Sequence, residues 1–201
     1  MPGTRSNTTD RHRRVRGLAS LTLLASVAST ADAQLRGADR ACAARGDASV
    51  AALHRHWILV GWERGPNDGL FDFREKLGRY YDWSGADVIL YDDFDPRRRV
   101  VRSPAAYGAV WEPGFNAMRS ARHRVLDGPH VLQSDGLAAS TLVFGARLET
   151  NDGKVTFIRT FTSLVWRCTA EGWRIVREHN SSTVLPTVQG TALMRVTAAE
   201  R

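Results

Sequence analysis

The sequence predicts an α+β domain in which a curved antiparallel sheet wraps around three helices from the N-terminal half of the chain. Between positions 47 and 118, apolar residues recur every three or four positions, which is the period of a helix. Beyond position 125 they recur every second position, which is the period of a strand. Helices followed by a run of antiparallel strands are typical of the α+β class. With 201 residues, of which 43% are hydrophobic, the chain is large enough for one such domain.

Three helices are predicted from this period. The first follows Asp47, whose side chain is suited to cap a helix N-terminus, and extends to residue 60. The second covers residues 70–80, after a loop of glycine, proline and asparagine. The third begins with Ser103 as the cap and Pro104 at the first helical position. A second proline, at position 113, predicts an irregularity near the end of this helix.

The strands are delimited by turn signals. Asn151-Asp152-Gly153 is a strong hairpin signal, and Ala170-Glu171-Gly172 predicts a second tight turn. One further strand is predicted between the second and third helices. In chain order, the predicted strands are 87–91, short segments at 125 and 131–132, 138–148, 154–168 and 173–179.

The charge does not favour a nucleic-acid partner. The formal net charge is +7, but the first 33 residues carry five Arg and two Asp, and the rest of the chain has a net charge of +4. Positive and negative residues are interspersed, as in residues 92–99, and form no basic stripe that could follow a phosphate backbone.

The N-terminus has the three parts of an export signal. Four arginines lie between positions 11 and 16, residues 17–31 are uncharged, and Ala31-Asp32-Ala33 is a small-residue cleavage site. This predicts a signal peptide over 1–33, a mature chain that begins at Gln34, and a periplasmic or secreted protein without a membrane span. An uncleaved or amphipathic anchor helix is the alternative. The Arg13-Arg14 pair permits the twin-arginine route but does not establish it.

Two cysteines, Cys42 and Cys168, would lie in an oxidising compartment if the protein is exported. In an oxidising compartment an even number of cysteines is consistent with one disulfide. A bond between them would tie the segment before the first helix to a strand end. Two separate thiols are the alternative, and two lone cysteines do not make a metal site.

The C-terminal hairpin carries the most specific pattern. The apolar strand 163–168 is followed by a turn that ends in Gly172, then by Trp173, an apolar pair and His179-Asn180-Ser181. Together with segment 87–115, this pattern resembles the SnoaL-like, nuclear-transport-factor-2-like family, which includes ketosteroid-isomerase homologues. The resemblance spans most of the chain that follows the signal peptide.

The resemblance implies a conical barrel whose concave sheet and helices enclose a pocket, in a homodimer formed through the outer sheet face. The domain would cover residues 47–185, with 34–46 as an N-terminal arm and 186–201 as a C-terminal tail. The positions that match the family's pocket are Trp111, Trp173, His179 and Ser181.

Three kinds of polar residue are candidates for chemistry. His179 could shuttle a proton or orient a ligand, or it could be a hydrogen-bonded structural residue. Arg159 lies on an apolar strand, where it would clamp an anionic ligand or pair with an internal carboxylate. Asp93 and its neighbours Asp92 and Asp95 offer a carboxylate for proton abstraction, although their context also suits a solvated turn.

Aromatic residues are candidates for a pocket wall, although their spacing is equally that of a core. They are Tyr91, Trp111 and Phe115, together with Trp83. The sequence contains no metal-ligand set, glycine-rich phosphate loop or nucleophile elbow, so no cofactor is predicted.

Two functions therefore stay open. The first is a pocket that binds, and in an enzyme would isomerise, dehydrate or hydrolyse, a small apolar or carboxylated molecule. The second is a non-catalytic periplasmic module for dimerisation.

Overall fold

The computed structural model of the chain describes residue 42, residues 48–85 and residues 87–195. The signal peptide predicted over 1–33 lies outside the described residues. The described part forms four helices and a five-stranded mixed sheet that is curved and unclosed. The predicted α+β class is therefore confirmed.

The three predicted helices are present, and a fourth follows the last strand. Ser49 caps the first helix, and its hydroxyl accepts a hydrogen bond from the amide of Ala52; the predicted cap, Asp47, lies outside the described residues. Ser103 and Pro104 start the third helix as predicted, and Pro113 lies within its last turns without ending it. The helices are α1 Val50–His56, continued by π-helical residues Trp57–Gly61; α2 Phe73–Leu77, continued by the 3-10 turn Gly78–Tyr80; α3 Pro104–Asn116; and α4 Thr187–Leu193.

The sheet has the strand order β1-β5-β4-β3-β2. Its strands are β1 Ile89–Asp92, β2 Met118–Ser134, β3 Leu137–Thr150, β4 Val155–Thr169 and β5 Gly172–Leu185. Strands β2 to β5 are antiparallel neighbours joined by tight turns, at which Gly136, Gly153 and Gly172 have positive φ.

Three details differ from the sequence-based prediction. β1 pairs with β5 in parallel, so the sheet is mixed; helix α3 lies between β1 and β2 and allows this arrangement. The short strands predicted at 125 and 131–132 are parts of β2, which is interrupted by register shifts around Asp127. The barrel does not close, because β1 and β2 are separate edges of the sheet.

The core lies between the concave face of the sheet and the helices. Trp166, Leu164 and Ile175 from the sheet are fully buried with Trp57 and Tyr81. No helix of the described residues has both the length and the apolar character needed to cross a membrane.

A disulfide joins Cys42 to Cys168 in β4, across a sequence separation of 126 residues. The indole Nε1 of Trp173 also donates to the carbonyl of Cys42, at 3.1 Å. The chain before α1 is thereby fastened to the β4–β5 hairpin.

Helix α4 occupies the beginning of the predicted C-terminal tail and packs on the sheet. Gly190 allows this close approach, since a Cβ at this position would lie 2.2 Å from the Cβ of Phe157. Arg124 of β2 donates to the carbonyl of Leu193 at 2.7 Å. The tail is therefore part of the fold up to this helix.

Candidate functional site

A cavity lies between the concave sheet, the π-helical turn after α1, and α3. Its volume is about 60 Å³. Apolar side chains make up most of its lining, and six of these are aromatic: Trp57, Trp62, Phe94, Trp111, Phe115 and Phe144. Mainly apolar walls with a few polar groups are typical of small-molecule sites.

Five polar residues also line the cavity: Asp92, His123, Thr160, Asn180 and Ser182. Asp92 ends β1, and its carboxylate accepts hydrogen bonds from Asn180 Nδ2 at 2.9 Å and from the amide of Phe94 at 2.8 Å. Burial raises the pKa of Asp92 above its ordinary value, and the charges of Asp93 and Asp95 add to this effect, while the two hydrogen bonds oppose it. A carboxyl group with a raised pKa beside an apolar cavity is suited to exchange a proton with a bound molecule.

Several buried polar atoms at this cavity have no hydrogen-bond partner. Among the described residues, five buried side-chain nitrogen or oxygen atoms lack a partner, and three of them belong to cavity-lining residues: Trp62 Nε1, Trp111 Nε1 and Asn180 Oδ1. Trp62 and Asn180 are 6% and 3% exposed, so solvent does not compensate. An unpaired buried polar atom costs about 1–3 kcal/mol, and these three atoms belong to residues that line the cavity.

His123 of β2 is fixed by Glu63. The carboxylate of Glu63 accepts from the amide of His123 at 3.0 Å and lies 3.2 Å from its ring Nδ1. The ring also packs edge-on against Phe144, with centroids 5.7 Å apart. The contact with Glu63 favours a proton on Nδ1 and leaves Nε2 to act as the acceptor.

A hydrogen-bonded cluster around Glu178 lies behind the cavity. The carboxylate of Glu178 accepts from the Tyr81 hydroxyl at 2.6 Å, the Tyr107 hydroxyl at 2.7 Å and Asn180 Nδ2 at 2.8 Å. Tyr81 in turn accepts from Trp57 Nε1 at 3.0 Å. Burial raises the pKa of Glu178 to about 7, assisted by the charge of Asp92 and opposed by the donors from the two tyrosines and Asn180.

Three aspartates at or just beyond the end of β1 have different surroundings. Asp92 faces the cavity. Asp93 accepts from the amide of Ser182 at 2.7 Å and therefore holds the end of β5. Asp95 is bound by the guanidinium of Arg99 at 2.8 and 2.9 Å, which holds its pKa well below the ordinary value.

The predicted site residues divide between two faces of the sheet. Trp111 and Phe115 line the cavity. His179 is exposed and lies on the opposite face, where its ring is 5.3 Å from that of Tyr91. Ser181 is likewise exposed, and its hydroxyl donates to Asp93 at 3.2 Å.

The alternation of strand residues places His179 and Arg159, which were predicted to lie in a pocket, on the outward side of the sheet. Glu178 and Asn180 are buried, so His179 between them points outward. Arg159 is exposed between the buried residues Ile158 and Thr160, and no described carboxylate pairs with it. Neither His179 nor Arg159 lines the cavity formed by the described residues.

Sequence reasoning overlooked Trp62, His123, Glu178 and Asn180 as site residues. Strand alternation is a sequence signal for inward residues, and in β5 the core positions Trp173 and Ile175 follow it. However, a bulge between β4 and β5 near Val176 shifts the inward series from odd to even numbers. Counting every second residue from Trp173 would therefore place His179, and not Asn180, on the inward face.

The described residues contain no group of three or more His, Cys, Asp or Glu side chains that could hold a metal ion. The carboxyl groups of the site are instead held by tyrosine, amide and backbone donors.

The α+β fold with a curved sheet is that of a known protein family. The family model of the SnoaL-like domain matches residues 81–185, more than half of the chain. The chain therefore belongs to the SnoaL-like family, as the sequence pattern predicted. No curated protein matches it.

Solved structures share this fold at low sequence identity. The Kfla4162 protein from Kribbella flavida is 14% identical with a TM-score of 0.50, and the match covers 82% of this chain and 99% of that chain. A nuclear transport factor 2-like superfamily protein from Salmonella enterica is 16% identical with a TM-score of 0.46, and the match covers 54% and 75% of the two chains. The similarity to the Kribbella flavida protein concerns the fold alone.

Proposed function

We propose that this domain binds a small, mainly apolar molecule that carries a hydrogen-bond-accepting oxygen, such as a ketone, in the cavity beside Asp92. The observation that carries the proposal is the pair of unpartnered indole N–H groups, on Trp62 and Trp111, at an aromatic-lined cavity. An indole N–H can only donate, so its partner must be an acceptor.

The size of the cavity limits the ligand. The cavity volume of about 60 Å³ is far below the roughly 300–1,000 Å³ of pockets for drug-sized ligands, so only a small molecule fits. An anionic ligand is disfavoured, because Asp92 lines the cavity and none of the lining residues is Arg or Lys. A neutral carbonyl compound satisfies both conditions.

Asp92 and His123 are the residues that would exchange protons with such a ligand. The raised pKa of Asp92 brings it closer to neutral pH, and His123 has a ring nitrogen that Glu63 does not engage. Isomerisation or dehydration is the enzymatic form of this proposal. The small volume of the cavity favours the second candidate, a non-catalytic accessory module, and a binding experiment separates the two.

The test is a calorimetric titration of the full chain with cyclopentanone, with cyclopentane as the matched hydrocarbon. Cyclopentanone should bind more tightly, and Trp62→Phe or Trp111→Phe should each weaken it by about 3–10-fold, the value of one hydrogen bond. Trp83→Phe is the matched control, since Trp83 lies outside this cavity and its Nε1 already donates to the carbonyl of Gly78 at 2.7 Å.

Equal affinity for the ketone and the hydrocarbon would contradict the proposed role of the indole donors. Absence of binding by either compound, with all variants folded, would shift the weight to the accessory module.

We also propose that the protein is exported and that residues 1–33 are removed. The basic and apolar pattern of the N-terminus supports this, and so does the disulfide between Cys42 and Cys168, because disulfides persist in oxidising compartments. Expression in a bacterium should yield a periplasmic product whose N-terminus is Gln34 and which has no alkylatable thiol. A full-length cytoplasmic product would contradict this proposal.

The outer sheet face is our proposed dimer surface. Phe161 is 46% exposed there, beside the outward residues of β5. Light scattering should report a dimer that Phe161→Lys dissociates, whereas Leu132→Lys, on the edge strand β2, should not. A monomeric wild-type protein would overturn it.

A further inference from the structure

Two carboxyl groups at this site share one hydrogen-bond donor. Asn180 Nδ2 lies 2.9 Å from Asp92 Oδ2 and 2.8 Å from Glu178 Oε1, so a single amide group bridges them. Asp92 ends β1 and Glu178 lies in β5, and these two strands are neighbours. The arrangement holds two acidic side chains close together in the interior.

No cationic side chain among the described residues contacts either carboxyl group. Glu178 is reached by the Tyr81 hydroxyl from the segment before β1, the Tyr107 hydroxyl from α3 and the Asn180 amide from its own strand. All three are neutral donors. Around Asp92, the nearby charged groups Asp93 and Asp95 are negative and oppose its ionisation. Of the described residues that line the cavity, His123 is the other one with a titratable side chain.

Two acidic groups this close do not ionise independently. The first group to lose its proton makes the ionisation of the second unfavourable, and the protons leave in two steps that belong to the pair. The tyrosine and amide donors determine which carboxyl group keeps the remaining proton. Asp92 faces the cavity, and its ionisation is thereby coupled to that of Glu178, which does not line the cavity.

We propose that Glu178 is a positioning residue for Asp92: the two carboxyl groups, bridged by Asn180, oppose each other's ionisation, so that protonation of Asp92 favours ionisation of Glu178. Its relevance to a ligand rests on the proposed function, whereas the coupling itself exists without one. A ligand that covers Asp92 and favours its protonated form would therefore drive Glu178 to ionise.

The test follows the side-chain carboxyl carbons of the full chain by NMR as the pH is varied, without ligand. In the wild type, Glu178 should titrate near neutral pH. Asp92→Asn should lower the midpoint of Glu178 by on the order of one to two pH units, because the neighbouring charge is gone. Asp93→Asn, which removes a carboxylate that does not contact Asn180, is the matched control and should leave the Glu178 midpoint unchanged.

Glu178 still holds its proton when Asp92 ionises, so Glu178→Gln, which keeps a neutral group at that position, should leave the midpoint of Asp92 near its wild-type value. Should Glu178→Gln fail to fold, the Asp92→Asn and Asp93→Asn pair suffices. An unchanged Glu178 midpoint in Asp92→Asn, or an equal change in Asp93→Asn, would overturn the proposal. Because no ligand is present, this failure is distinct from a failure to bind cyclopentanone.

Discussion

Two adjoining regions of the interior differ in whether their buried polar groups have hydrogen-bond partners. In the cluster around Glu178, the Tyr81 and Tyr107 hydroxyls and the Asn180 amide nitrogen all have partners within 2.9 Å. At the cavity, Trp62 and Trp111 carry buried indole nitrogens with no partner at all. Satisfied polar groups stabilise a fold, whereas unsatisfied ones cost stability. From this difference we propose that the first region supports the structure and that the second binds a ligand.

The largest expected effect lies in the satisfied cluster. Glu178→Ala removes the acceptor of three donors and leaves them buried, so the free energy of unfolding should fall by about 3–5 kcal/mol. His179→Ala, the adjacent exposed residue, is the matched control and should change it by no more than about 0.5 kcal/mol. Urea denaturation of both variants measures this, and similar losses would contradict the assignment of the two sheet faces.

The next effect is a pH dependence of stability. The pKa of Glu178 is about 7 in the fold and 4.5 when unfolded, so the folded state binds more protons between these values. Stability should therefore fall as the pH rises from about 4.5 to 7, by about 2–3 kcal/mol, and this contribution should not change above that range. Glu178→Gln should flatten this part of the profile. Stability that rises with pH across this window in the wild type, and not in the variant, would contradict the account.

Two tryptophans compare the regions directly. Trp166 is fully buried, and its Nε1 donates to the Ser140 hydroxyl at 2.8 Å, which in turn contacts Nδ1 of His54. Trp166→Phe should cost about 2 kcal/mol, from lost packing and a lost hydrogen bond. Trp111→Phe loses no hydrogen bond and should change stability by less than about 1 kcal/mol. Thermal unfolding of the two variants measures the difference, and a larger loss for Trp111→Phe would argue against its N–H being unpaired.

The smallest effect is expected on the outer face. Arg159→Ala alters an exposed side chain that does not line the cavity, so cyclopentanone affinity should stay within about twofold of the wild type. Calorimetric titration measures this. A tenfold loss would show that the binding site extends beyond the concave side.

The fold was predictable because its signals are local. The capping pair Ser103-Pro104, the hairpin signal before Lys154 and the turn at Gly172 each specify a boundary from neighbouring residues alone. The parallel pairing of β1 with β5 was not predictable in this way, because it depends on contacts between residues about 90 positions apart. The unclosed sheet has the same non-local origin.

The site was predicted in part for a related reason. Trp111 and Phe115 were found because helical spacing places them on the inward side of α3. His179 was chosen because it matches the family pattern, and the bulge at Val176, which reverses the alternation of β5 and turns Asn180 inward instead, leaves no recognisable mark in the sequence. The bridge from Asn180 to both Asp92 and Glu178 likewise requires the register of three strand positions.

The most direct measurement of the central claim, that the cavity is a ligand site, is an NMR spectrum of the indole N–H groups of the ¹⁵N-labelled full chain. The sequence contains six tryptophans, so six signals report on hydrogen bonding. Addition of cyclopentanone should shift the signals of Trp62 and Trp111, assigned from their Phe variants, toward the positions of hydrogen-bonded groups. Cyclopentane should not produce this shift, and Trp83, Trp166 and Trp173, whose N–H groups already have partners, should not move. No shift of Trp62 or Trp111 at saturating ketone, or an equal shift of all six signals, would contradict the claim.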